Sequence, residues 1–390
     1  MKRRALLLGA LFFPMAAHAR TPKKAVKKAA PRAPAKTAAP AVAMREPAGP
    51  PPLKEAKSQL IAFNASPFPY SGLIPGTNKP FLDVRDGKRR GHTTLRGDVC
   101  WEDTTYSDRR SLLYLPAGYN PQRPSLIVLF LHGQGATLER DVMARQAVPR
   151  QIAESGKNVA LVAPQLAVDA ADSSAGNFWR SGYLATYIDE AAERLMRLYG
   201  DKRAGPHFNA APVIIVSYSG GYLSTAYALE RGGALYRVKG VVLLDSLYGD
   251  EEKFAGWAAT RRQTGFLLSA YTESTRDGNA TLESLLARRR VPYASTLPKT
   301  LTPGTVAFVG CGSADLHGDF VTHAWSTDPV KHALAMIPGY EPVAPPEPTK
   351  AVPAKAAPPK PAPRKLTPAK PAPSKPKPKP APAVRARKKV

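Results

Sequence analysis

Six runs of almost unbroken apolar residues constrain this chain: SLIVLFL (125–131), NVALVAP (158–164), APVIIVSY (211–218), VKGVVLLD (238–245), TGFLLSAY (264–271) and TVAFVG (305–310). A strand with one wet face alternates apolar and polar residues. These runs do not alternate, so both of their faces must be covered. Stretches with helical spacing lie between them: 139–155, YLATYIDEAAERLMRLYG (183–200), EEKFAGWAATRR (251–262) and ATLESLLARRR (280–290). Strand–helix alternation of this kind predicts an α/β fold with a mostly parallel central sheet and helices on both faces. Ligands in such sheets sit beyond the carboxyl ends of the strands.

The flanks read less regularly. Residues 58–92 are rich in Pro, Gly and aromatics and predict an ordered but irregular lead-in. TLRGDVCW (94–101) and RRSLLYLP (109–116) read as two early strands paired in a hairpin. Residues 166–182 form a long loop in which Trp179 is a candidate pocket wall or an ordinary packed side chain. The segment 319–337 holds a final helix that Pro329 can kink and that would contain His323.

The 390-residue chain carries a net charge of +26, which suggests a nucleic-acid binder until the charge is mapped. Residues 1–19 carry +3, residues 20–57 +8 and residues 341–390 +11, leaving +4 for residues 58–340. The basicity therefore belongs to the ends. Residues 1–19 join a basic head, an apolar run broken by Pro14 and a small-x-small ending at Ala17-His18-Ala19, the pattern of a cleaved signal peptide. That predicts a secreted or periplasmic protein.

The segments 20–57 and 341–390 are dominated by Pro, Ala and Lys, and too few apolar residues are present to offset chain entropy. They are expected to be disordered. Their charge suits adhesion to an anionic envelope polymer or membrane surface. Nucleic acid is not an expected partner, because neither segment interleaves aromatic residues for base stacking. Cys100 and Cys311 are the only cysteines. In an oxidising compartment one disulfide between them is the expectation, provided that the fold brings them together. No Cys/His cluster has metal-ligand spacing, no phosphate-cradling loop is present, and no cofactor is expected.

Two loop motifs carry the chemistry. Ser219 lies at the centre of Ser217-Tyr218-Ser219-Gly220-Gly221, between an apolar strand and a helix-like stretch. This approaches the G-x-S-x-G elbow, in which small neighbours allow a serine to stand on a strained turn, with Ser217 in place of the first glycine. A glycine-eased turn without catalysis is the other reading. His132-Gly133-Gln134-Gly135 directly follows another apolar strand. Amide groups at Gly133 or Gln134, together with that of Gly220, are candidates to hold an oxyanion, and His132 is expected to orient the loop.

Between residues 95 and 340 the chain resembles the α/β-hydrolase superfamily: the His-Gly loop, then the serine elbow after the fifth strand, then an acid and a histidine, in the family's order. The resemblance implies a serine hydrolase mechanism over a wide range of substrates. It places the base after the last strand, at His317, with His323 as the alternative. The acid is expected at Asp245, which ends VVLLD at the carboxyl edge of the sheet; Glu273 and Asp277, after the next strand, occupy the commoner family location and are the alternatives, and Asp277 in RDGN also reads as a turn. The expected reaction is hydrolysis of a carboxylic ester, on a small or polymer-linked acyl substrate, by Ser219, His317 and Asp245. An amidase or peptidase acting on envelope material, or a binding protein on a hydrolase scaffold, are the alternatives. The connection 246–264 is too short for a large helical cap, which predicts an open pocket.

Overall fold

The structure, a computed structural model, describes residues 49–341. The signal-peptide segment 1–19, most of the linker 20–57 and all but the first residue of the tail 341–390 lie outside the described residues. The folded region begins earlier than residue 58: Leu53 packs on the core and exchanges backbone hydrogen bonds with the 118–119 turn.

Among the described residues, eleven strands form two sheets. The strands are β1 Lys57–Ala62, β2 Val84–Asp86, β3 Arg89–Thr93, β4 Val99–Trp101, β5 Arg110–Leu115, β6 Leu126–Leu131, β7 Val159–Pro164, β8 Val213–Tyr218, β9 Val238–Leu244, β10 Phe266–Tyr271 and β11 Val306–Gly310. The large sheet has the order β1-β5-β7-β6-β8-β9-β10-β11. Its strands from β7 to β11 run parallel, while β1 and β5 pair antiparallel at one edge. A small antiparallel sheet, β2-β3-β4, lies apart.

The helices are α1 Glu102–Thr105, α2 Val148–Ala153, α3 Tyr183–Tyr199, α4 Gly205–Ala210, α5 Tyr222–Arg231, α6 Glu251–Arg261, α7 Arg276–Arg288 and α8 Pro329–Ala335. Every residue of β6, β7 and β8 is buried, as their unbroken apolar runs require. Alternate residues enter separate cores. Ile127, Leu129 and Leu131 join the core beneath α3, α5, α6 and α7; Leu126, Val128 and Phe130 join the one beneath α2 and α8. The expected α/β architecture is the one found.

Local details differ from the sequence reading. The strand containing Cys100 does not pair with β5: β4 joins β3 in the small sheet, and β5 pairs with β1 and β7. β1 lies at a sheet edge with no fully buried residue and no alternation of burial, so its sequence carries only a weak strand pattern. The helix expected over 139–155 breaks into a π-helical stretch, Leu138–Arg145, and α2, where Ala147 turns left-handed ahead of Pro149. Pro329 does not kink a helix but starts one, as a residue without an N–H can. His323 consequently lies outside α8.

Cys100 and Cys311 are both free thiols. Cys100 packs against one core and Cys311 against the other, so the central sheet separates them and no disulfide geometry is within reach. Trp179 is buried, stacked edge-on against Tyr70, Phe81 and Tyr227, and forms core rather than pocket wall.

Candidate active site

Parallel pairing carries four chain segments to one edge of the sheet. In the ladder, Leu131 faces Ser217, and Tyr218 faces Leu244. The residues that follow, His132, Ser219 and Asp245, therefore emerge side by side, and β11 delivers the chain leading to His317 beyond β10.

Ser219 has φ +49°, a left-handed conformation unusual for a residue with a side chain. Three features hold it there. A Cβ on Gly221 would lie 2.4 Å from the Leu131 carbonyl oxygen, so α5 can approach β6 only with glycine at this position. A Cβ on Gly133 would lie 2.8 Å from that of Ser219. Ser246 Oγ donates to the Ser219 carbonyl at 2.8 Å, which leaves Ser217 Oγ to donate to Ser246 Oγ, also at 2.8 Å. Ser217 thus does what the usual glycine cannot: its hydroxyl secures the Ser246 bond beneath the elbow.

Ser219 Oγ lies 2.9 Å from His317 Nε2, and His317 Nδ1 lies 2.6 Å from Asp245 Oδ2. The Asp245 carboxylate has no solvent exposure. Burial opposes its ionisation. Hydrogen bonds from His317, the Thr275 hydroxyl, and the Thr272 amide and hydroxyl outweigh that effect and hold its pKa below the usual carboxylate value. A carboxylate so fixed keeps the Nδ1–H tautomer of His317, which turns Nε2 toward the serine as an acceptor.

His317 is half-buried, with Tyr218 stacked on one face of its ring at 5.4 Å and Tyr248 meeting it edge-on at 6.0 Å. The Tyr248 hydroxyl is 3.4 Å from Nδ1, too far to compete with Asp245. Tyr248 exposes 44% of its surface beside the imidazole.

The other sequence candidates do not reach this chain. Glu273 is exposed and ion-pairs with Arg276. Asp277 occupies the first turn of α7 and points the site no carboxylate hydrogen bond, so its RDGN segment is helical rather than a turn. His323 is exposed, and its ring hydrogen-bonds the Thr322 hydroxyl rather than Ser219. His132 is fully buried. Its Nδ1–H donates to the Gly133 carbonyl at 2.8 Å, and Nε2 accepts from the Leu166 amide at 2.9 Å. Burial lowers its pKa to about 4, so it is a neutral clamp on the loop.

Among the described residues, neither the Gly133 nor the Gln134 amide has a hydrogen-bond partner, so both are free donors. Gly220 packs against this loop closely enough that a Cβ there would lie 3.2 Å from the Gln134 nitrogen and 2.6 Å from Ser173 Oγ. Three candidate amides therefore crowd around the serine. Thr272, Thr275 and Ser246 were not foreseen. Each sits in an ordinary polar loop, and only the three-dimensional approach of those loops makes it a partner.

A serine hydroxyl hydrogen-bonded to an imidazole, itself bonded to a buried carboxylate, can be deprotonated as it attacks a carbonyl. The strand order and this strained serine between strand and helix give the chain an α/β-hydrolase-like fold. No known protein-family model matches the sequence, and no curated protein matches it. Among solved structures, the chain is similar to the feruloyl esterase module from Clostridium thermocellum at 15% identity and a TM-score of 0.39, over 70% of this chain and 96% of that one. It is similar to an S-formylglutathione hydrolase from Agrobacterium tumefaciens at 13% identity and a TM-score of 0.33, over 65% and 97%. A dienelactone hydrolase from Anabaena variabilis is similar at 15% identity and a TM-score of 0.34, over 58% and 88%.

Proposed function

We propose that the protein is a serine hydrolase that cleaves a carboxylic ester through an acyl-enzyme. The observation that carries this reading is the unbroken hydrogen-bonded path from Ser219 Oγ through His317 to the buried Asp245 carboxylate. Ser219 Oγ attacks the acyl carbon while its proton passes to His317 Nε2. Asp245 stabilises the resulting imidazolium, and the amides of Gly220 and of Gly133 or Gln134 hold the negative oxygen. The proton then passes to the departing alkoxide and the C–O bond breaks. A water molecule, deprotonated by the same imidazole, releases the acid and restores the serine.

The support for an open acceptor site is that the connection between Asp245 and β10 contains only α6, whose apolar face packs into the core. Export, suggested by residues 1–19, and adhesion of the basic ends to an anionic envelope polymer are parts of the same proposal.

A fluorophosphonate probe tests the chemistry. It should label the protein at Ser219, and Ser219→Ala should lose both labelling and hydrolysis of p-nitrophenyl esters. Hydrolysis of acyl anilides at a rate comparable with the esters would favour an amidase. An unlabelled protein would favour a binding role on a hydrolase scaffold.

A further inference from the structure

The segment that carries His317, the 3-10 turn Ala314–Asp319, has no buried residue. No side chain of the turn itself is sunk in a core, so the position of its backbone needs other support. Two successive carbonyls of this turn are held by polar side chains instead. Tyr218 Oη donates to the His317 carbonyl at 2.7 Å, and Arg145 Nη1 donates to the Gly318 carbonyl at 2.7 Å.

Arg145 is itself held. Its Nε donates to Asp141 Oδ1 at 2.9 Å, one turn earlier in the π-helical stretch. Asp141 is 4% exposed, and its other oxygen accepts from the Thr137 amide and from Arg140 Nε, both at 2.9 Å. Thr137 closes the loop that began at His132, and Arg140 also donates to the Gly135 carbonyl within that loop. Burial works against the charge of Asp141, but these hydrogen bonds prevail and its pKa is lowered. One continuous path thus joins the candidate oxyanion loop to the histidine turn, through a stretch of π-helix, a form frequent at functional sites.

We propose that the Asp141–Arg145 pair is a brace that fixes the oxyanion loop 132–137 and the histidine turn 314–319 against each other, with Arg145 as a positioning residue for the hydrolytic reaction. Its catalytic consequence rests on the serine-hydrolase reading; its structural consequence does not. The planar guanidinium is what makes the brace possible, because Nε and Nη1 reach a carboxylate and a carbonyl at once. Lysine presents a single ammonium and cannot span both at the same reach. Misplacement of a reacting group by about 1 Å can cost roughly 10²-fold in rate.

The test compares the wild type, Arg145→Ala and Arg145→Lys by amide hydrogen exchange, fluorophosphonate labelling, and kcat and KM on p-nitrophenyl acetate, with kcat expressed per labelled site. The brace predicts faster exchange confined to the 313–319 region and the 132–137 loop in both variants. It predicts a fall in kcat of about tenfold for Arg145→Ala with KM changed less than twofold, and only partial recovery by lysine. Unchanged exchange in 313–319, or faster exchange spread evenly over the whole protein, would overturn it. So would a labelled wild type whose Arg145→Ala variant keeps full kcat per site. If Arg145→Ala does not fold, the exchange of Arg145→Lys decides. A wild type that the probe leaves unlabelled sinks the hydrolase reading, while the exchange result still decides the brace.

Discussion

At the residue scale the site depends on two strained positions. Ser219 at φ +49° and Asp245 at φ +44° both end parallel strands in left-handed conformations, which cost about 1–2 kcal/mol for a residue with a Cβ. Asp245 is compensated by hydrogen bonds to both of its carboxylate oxygens. Asp245→Asn keeps much of that geometry but favours the wrong histidine tautomer, so kcat for ester hydrolysis should fall by roughly 10³- to 10⁴-fold with the fold retained; steady-state kinetics with circular dichroism checks this. His132 makes a prediction about pH. Its folded pKa of about 4 lies below the unfolded value near 6.5, so the unfolded chain binds the proton more readily. The stability that follows is fully present above pH 6.5 and is lost as pH falls toward 4. The loss should amount to no more than about 3 kcal/mol. Subtracting the urea stability curve of His132→Asn from that of the wild type should isolate a slope of this sign in that window, and a flat difference would count against it.

At the element scale, the contact that sets the elbow is between β6 and the start of α5. An alanine Cβ at 221 would meet the Leu131 carbonyl at 2.4 Å, with the His132 carbonyl also close. Neither is the flexible end of a side chain, so the elements must separate. Gly221→Ala should lose about 1–3 kcal/mol of stability by urea denaturation, and kcat should fall as well, because the same shift moves Ser219 away from the 132–135 loop. The elbow was legible as Ser-Tyr-Ser-Gly-Gly between an apolar run and a helical pattern, since backbone sterics are written into small residues. The choice of Asp245 over Glu273 and Asp277 was less so. All three follow strands, and which carboxylate turns inward depends on the β9–β10 pairing and on Thr272 and Thr275. The pairing of β4 and β5 differs from the expected hairpin for a related reason: β4 is a three-residue edge strand that carries little pattern, and β5 takes its partners β1 and β7 from the packing of the large sheet.

At the scale of the whole molecule, charge and chemistry occupy different parts of the chain. Residues 58–340 carry +4 of the total of +26, and the site lies within them. A chain limited to residues 49–341 should therefore hydrolyse p-nitrophenyl esters with kcat and KM within about twofold of the full chain, while losing co-sedimentation with anionic envelope polymer. Retained co-sedimentation by the shortened chain would reject the adhesive role of the ends. The amino-acid sequence by itself determined the class of fold, the serine on its turn, the glycine loop beside it and the segregation of charge, because each is a local matter of periodicity, sterics or composition. Only the tertiary structure decided which acid and which histidine meet the serine, that the two cysteines stay apart, and that Arg145 reaches across to the histidine turn. Those are meetings between residues far apart in the chain, and their distances follow from strand order and packing that no single stretch of sequence encodes.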